Sequence, residues 1–469
     1  MKHLLDYFYE ISAIPRASYN EEKIAAYLME FAKEHQLDAY TDTAHNVLIR
    51  KPASAGYENA PTIVLQGHTD MVCEKNADSA HNFDTDGIRI IREGDRLRAD
   101  GTTLGADDGF AVASMMSILA DSTLPHPALE CLFTTAEEVG MDGMRAFDKS
   151  LLRGRMMINL DSCEESFATA ACAGGVRSDF RRSCTAETVR GKAIRVFVTG
   201  LCGGHSGEDI NRGRGNALKL CARILSKAGD FRLIRLDGGD KDNAIPRECE
   251  AWILVEDAAL AKSLIAEEAN RIARELSPAD SAFRCEITLE DYAGSVLSRD
   301  DSKAVLALLR VLPCGPLSMS TGIPDLVESS SNTAVIHASG EEAKITVSSR
   351  SSVESKLDDI CDLLESCAVL CGFSCEHYSR YPGWDFRRDS RMQEIYLASA
   401  RAVLGHEGKI IGIHAGLECG LLSREIPEMD MISIGPDMFD IHTPSEQLSV
   451  SSAERMYQLV CHMLASLKL

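Results

Sequence analysis

The chain has 469 residues, 45% hydrophobic and 26% charged, a balance that excludes collagen, coiled coil and wholesale disorder and fits two or three domains of ~150 residues. Asp plus Glu number 71 against 49 Lys plus Arg, a net charge of −22. So acidic a surface argues against binding nucleic acid or membrane and suits a protein that gathers divalent cations.

No stretch approaches the ~18 apolar residues of a membrane span. The opening MKHLLDYFYEISAIPR carries Asp6 and Glu10 inside its apolar run, unlike a secretory signal. A helix is predicted from Asn20-Glu21-Glu22 to near Gln36, with acids where the helix dipole favours them. Pro61–Gly67 reads as a buried strand, Asp108–Ala120 as a helix of small residues and Met, and Ala128–Thr135 and Met156–Leu160 as further strands. This alternation predicts an α/β sheet with helices on both faces. The middle changes rhythm. Strand Ile194–Gly200, helix Asn216–Ser226, strands Phe231–Leu236 and Glu248–Val255, helix Asp257–Ser277 and strand Phe283–Glu290 form one α+β half. A helix to Leu312, strands near Val335 and Ile345, helix Val353–Leu370 and a strand near Cys375 form a second, a pseudo-repeat of the first. Strands at Lys409–Ala415 and Met429–Gly435 and a helix at Ala453–Leu467 return to the first pattern. The prediction is therefore a discontinuous α/β domain built from residues 1–175 and 382–469, with an α+β domain inserted at 176–381. The 16 cysteines are scattered without a CxxC pair, so reduced, core-filling thiols of a cytoplasmic protein are expected.

Acids and histidines gather at predicted strand ends, where α/β folds collect ligand chemistry. They are His68-Thr-Asp70, Asp107-Asp108, Glu137-Glu138, Asp161 and His442, the last expected to follow the final strand. Several carboxylates on one rim are costly unless cations compensate them. His68, Asp107, Glu138, Asp161 and His442 are the predicted ligands of two divalent ions. One shared carboxylate, with a histidine and an acid on each side, leaves room for water. Imidazole and carboxylate donors without thiolate fit Zn²⁺, and also Mn²⁺ or Co²⁺. Asp70, two residues beyond His68, faces the same side and can fix its tautomer. Glu137 diverges from Glu138 and is the predicted general base.

These motifs resemble the M20 metallopeptidases, and within them the aminoacyl-histidine dipeptidase branch. The matching pieces are GHTDMVCEKN at 67–76, DGTTLGADDG at 100–109, FTTAEEVGMDGM at 133–144, INLDS at 158–162, GGHSGEDI at 203–210, NAIPRE at 243–248, HAGLECG at 414–420 and IGPDMFDIHTPSE at 434–446. The resemblance implies a zinc-peptidase domain of mixed sheet with an inserted lid domain. It implies one zinc on His68 and Asp161, another on Glu138 and His442, and Asp107 bridging. Glu137 is then the base and Asp70 the orienting acid, while His205, Asn243 and Arg350 of the lid bind substrate. The implied activity is hydrolysis of short peptides such as Xaa-His dipeptides, carnosine among them, by a protein that can form a homodimer. Asp108 stands where close relatives often carry Asn, which adds a charge beside the bridging acid.

Rival readings are a related M20 tripeptidase, aminoacylase or deacylase, and a non-catalytic peptide or metal binder; the latter would lack Glu137 or a ligand, and none is missing. Other chemistries fail on motif. There is no HExxH, Glu208 spoils a GxSxG elbow at Gly204-His-Ser206-Gly207, and Gly213-Arg-Gly215 lacks the third glycine of a dinucleotide loop.

Overall fold

The fold was analysed in a computed structural model, which describes residues 2–468. The chain forms two compact units. The first runs to Ala171 and resumes at Trp384–Gly412 and from Leu417 on; the second comprises Cys172–Gly383 and Ile413–Gly416.

An eight-stranded mixed sheet organises the first unit, in the spatial order 38–41, 47–51, 129–134, 63–68, 156–159, 430–433, 167–172, 409–413. Ile63–His68 lies at its centre, parallel to both Leu129–Thr134 and Met156–Asn159. Every residue of it is buried, which is why it reads as a continuous apolar run rather than an alternating one. The three parallel strands therefore end on the same edge. Helix Ala106–Ala120 packs on the central strand. Its Gly109, Ala111, Ala113 and Ser114 are all buried, and such small side chains permit close approach. Its dihedrals are non-helical at Asp107 and Asp108, and the peptide between them is cis, so the regular helix starts after Asp108. Helix Leu4–Ser12 turns Tyr7, Phe8 and Ile11 into the same core, and helix Val450–Ala465 adds Met456, Leu459 and Met463.

Two features depart from the sequence expectation. Strands Ile90–Glu93, Arg96–Ala99, Met438–Phe439 and Gln447–Ser449 make a separate four-stranded sheet. Strands this short carry no legible period. His442 lies in the connection between the last two of these strands, at φ +63°. It does not follow the last strand of the main sheet, Asp430–Ser433, as expected.

The second unit holds helices, a two-stranded antiparallel ribbon of 204–205 and 244–245, and a nine-stranded antiparallel sheet in the order 284–297, 186–199, 249–255, 231–238, 327–339, 342–351, 174–183, 374–381, with 315–319 also paired to 327–339. Its two halves join where 231–238 pairs with 327–339. Each half has the same strand pattern, so the pseudo-repeat exists as topology. The second half, however, takes its first strand from Gly174–Ser183, which pairs with Glu342–Ser351 and precedes the entire first half in the chain. That strand crosses the boundary predicted at 175 and 176.

Candidate metal centre

The three parallel strands deliver the predicted residues to one edge. His68 closes its strand, Asp161 follows Met156–Asn159, and Glu137 and Glu138 follow Leu129–Thr134. Ala136 takes φ +49° and bends the chain, and the N–H groups of Glu137 and Glu138 then donate to Asp70 Oδ1 and Oδ2 at 3.1 and 3.3 Å. His68 Nδ1 lies 3.1 Å from the Asp70 carbonyl and 3.3 Å from its Oδ1. Asp70 thus orients the His68 ring and also anchors the loop of the two glutamates, a second task that spacing alone did not suggest.

Asp107 sits between the histidines. Its Oδ1 is 3.1 Å from His68 Nε2 and its Oδ2 is 3.1 Å from His442 Nε2. Glu138 Oε1 is 3.1 Å from His442 Nε2, and Asp161 Oδ1 is 3.8 Å from His68 Nε2. His68, Asp107 and Glu138 offer ligand atoms all within 4.8 Å of one another, as do His68, Asp108 and Asp161. The Asp108 oxygens, however, accept from the main-chain N–H groups of His68 and Ala111. Burial pushes the Asp108 carboxyl well above the usual range, with the Asp107 charge adding to the push and His68 opposing it.

The electrostatics favour cations. Burial alone would lower the His68 pKa, but its contacts with Asp107 and Asp70 outweigh burial and raise it well above the ordinary value. Contacts with Asp107 and Glu138 raise His442 to about 10. The same histidines overcome burial and hold Asp107 below the carboxylate range. Burial pushes Glu137 up to about 8, with the charges of Glu418, Glu138 and Asp107 assisting and His68 opposing. Glu138 Oε1 is buried and meets no donor at hydrogen-bonding geometry. An acceptor-rich cluster of this kind, with no thiolate, fits a pair of divalent ions that would replace the imidazolium protons.

The remaining predicted residues lie in the second unit. The His205 N–H donates to Asp209 Oδ2, and its ring Nδ1 accepts from the Glu208 N–H at 3.2 Å. Burial and then the Arg350 charge lower its pKa. The ring is therefore neutral, with its proton on Nε2. Arg350 is 8% exposed and donates to the Tyr381 hydroxyl at 2.8 Å, while its Nε has no partner. Gly207 brings these two together. A Cβ there would lie 3.2 Å from His205 Cε1, 3.3 Å from Arg350 Nε and 2.2 Å from the His414 carbonyl. Asn243 is exposed, and its main-chain carbonyl makes the recorded contact, accepting from the Ser206 N–H.

Sequence reasoning passed over several supporting groups. The Glu446 carboxylate accepts N–H groups from Leu104, Gly105, Ala106 and Asp107 at 2.7–3.4 Å and so shapes the loop that presents Asp107. Glu418, fully buried, accepts from Gln66 and Thr134, and burial raises it to about 7. Both acids belong to motifs quoted above, and an acid there was the available signal. Arg16, Ser18 and Glu21 had none.

Comparison with known proteins places the chain in a family. The family described as Peptidase family M20/M25/M40 matches residues 64–466. The cytosol non-specific dipeptidase of Escherichia coli (strain K12) is 36% identical over 98% of this chain and 96% of its own. The solved aminoacylhistidine dipeptidase of Vibrio alginolyticus has a TM-score of 0.91 at 34% identity, covering 99% of this chain and 96% of its own. The aminopeptidase PepT of Bacillus cereus ATCC 10987, at 15% identity and a TM-score of 0.58 over 99% of this chain and 98% of its own, shares the fold. On the strength of these matches, the chain belongs to peptidase family M20/M25/M40.

Proposed function

We propose that the chain is a metal-dependent dipeptidase that cleaves Xaa-His dipeptides and related short peptides. The observation that carries the proposal is Asp107, whose two oxygens each lie 3.1 Å from a different histidine Nε2. This is the arrangement a bridging carboxylate needs between two ions. His68 and Asp161 would hold one ion and Glu138 and His442 the other. When bound, such a pair supplies Lewis acidity to the peptide carbonyl and lowers the pKa of water.

The side chains supply the rest. Glu137 takes the proton of the attacking water and passes it to the leaving amine as the C–N bond breaks. Asp70 keeps His68 in one tautomer. His205, neutral with Nε2–H free of the Glu208 contact, is the donor for the oxyanion. Arg350 offers a buried guanidinium that, among the described residues, donates to the Tyr381 hydroxyl and has no partner for its Nε; a peptide carboxylate answers that need. Asn243 completes the proposed substrate contacts. Zinc is the proposed metal, with Mn²⁺ or Co²⁺ as alternatives. The proposed setting is the cytoplasm, as expected for a chain whose cysteines are scattered without a CxxC pair.

The test is a hydrolysis panel with and without chelator. It includes carnosine and other Xaa-His dipeptides, tripeptides and N-acyl amino acids. Dipeptides turn over fastest, chelation abolishes turnover, and Zn²⁺, Mn²⁺ or Co²⁺ restores it. Preference for tripeptides or N-acyl substrates would move the assignment within the family, and chelator-resistant turnover would end it. Arg350→Met raises KM for dipeptides by about 10²-fold, the worth of a charge-assisted pair, and leaves C-terminally amidated peptides little changed. Equal effects on both would remove Arg350 from carboxylate recognition.

A further inference from the structure

We propose that residues 16–21, before the first strand of the main sheet, are a brace that sets the loops of the metal centre, with Arg16 and Ser18 as positioning residues for the reaction. The role in catalysis rests on the function proposed above; the geometry of the brace does not. Arg16 is 2% exposed. Its Nη1 donates to the carbonyls of Thr69 and Asp70 at 2.9 and 3.1 Å, and its Nη2 donates to the Gly105 carbonyl. One guanidinium thus ties the loop of His68 and Asp70 to the loop that presents Asp107. A planar fork joins the two loops in a fixed geometry, one nitrogen serving each loop, which a single ammonium nitrogen does not reproduce. Gly105 answers the same need: its φ is +69°, and a Cβ would lie 2.5 Å from Arg16 Nη2.

Ser18 and Glu21 extend the brace. Ser18 Oγ donates to Asp70 Oδ2 at 2.7 Å, the oxygen that also takes the Glu138 N–H. Glu21 Oε1 accepts the N–H of Ala136, the left-handed residue before Glu137, at 2.8 Å. Ala17 pairs with Met71 in an isolated parallel bridge between Arg16 and Ser18. The segment therefore reaches the loops of His68, Asp107 and Glu137–Glu138 without touching a predicted ligand side chain. It acts through Asp70 and through main-chain groups, and residues 16–21 lie outside the 64–466 stretch matched by the family.

A merely stabilising segment and a positioning brace differ in what they change. The experiment compares wild type, Ser18→Ala, Ser18→Thr and Arg16→Lys. It measures kcat and KM on a Xaa-His dipeptide, the visible absorption of the Co²⁺-loaded proteins, and the melting temperature of the metal-free proteins. Ser18→Ala lowers kcat about tenfold, the worth of one hydrogen bond to a charged acceptor. KM stays within about twofold and the Co²⁺ band shifts, while metal-free melting falls only by the few degrees that one hydrogen bond is worth, too little to account for a tenfold loss at an assay temperature well below melting. Ser18→Thr, which keeps the hydroxyl, restores kcat and band. Arg16→Lys shows the larger loss, and if that variant does not fold, the serine pair decides. Wild-type kcat and an unshifted band in Ser18→Ala would overturn the proposal, as would losses that merely follow melting temperature. A wild type that binds Co²⁺ but cleaves no dipeptide refutes the proposed function instead, and the band still reads the brace.

Discussion

Glu137→Gln binds its metal ions and folds like the wild type, yet turns over about 10³-fold more slowly, within the range for loss of a general base. The structure separates Glu137 from the predicted ligand set. Asp107, Asp161, Glu138 and both histidines meet one another through side-chain atoms at 3.1–3.8 Å, whereas Glu137 is fixed by its main-chain N–H on Asp70. Glutamine keeps that anchor and the volume of the side chain but cannot accept the proton. Metal analysis beside kcat and KM checks this. Turnover near wild type would remove the base assignment, and loss of metal would move Glu137 into the ligand set.

Asp107→Ala has the opposite signature, failing at the metal before the chemistry. Both histidines lose the carboxylate each now meets at 3.1 Å, and no neighbour can replace an atom pair that faces two ways. Metal affinity falls by more than the 10- to 100-fold typical of lost supporting contacts. Activity falls with it, and the rise in melting temperature that metal gives the wild type is lost as the linkage vanishes. Asp161→Ala, which removes a carboxylate from the His68 side alone, leaves the Glu138–His442 side able to bind. Titration followed by calorimetry distinguishes the two, and equal residual affinity in both variants would contradict the bridging role of Asp107.

The parts of this site that were legible from sequence share a physical cause. Ile63-Val64-Leu65 is apolar without alternation because a central parallel strand is covered on both faces by what packs on the sheet, helix Ala106–Ala120 among it, and His68 ends that run where ligands collect in such sheets. Glu137, Glu138 and Asp161 were placed by the same logic. His442 lies beside Asp107 and Glu138, but it comes there from a different element than expected. Its loop belongs to a small sheet whose two-residue strand at Met438–Phe439 has no period to read. The second unit shows the same limit on a larger scale. Gly174–Ser183 pairs with Glu342–Ser351 across the whole intervening half, and a local pattern carries no information about a partner so distant. Arg16 was illegible for a related reason. Its hydrogen bonds go to carbonyls of Thr69, Asp70 and Gly105, groups every residue possesses, so no residue type at the far end marks the contact.

The proposed chemistry needs a pair of ions on either side of Asp107, and anomalous diffraction from crystals of the metal-loaded protein locates them directly. The predicted result is two peaks, one bounded by His68 and Asp161 and the other by Glu138 and His442, with an Asp107 oxygen on each. A single peak, or peaks away from these five side chains, would contradict it.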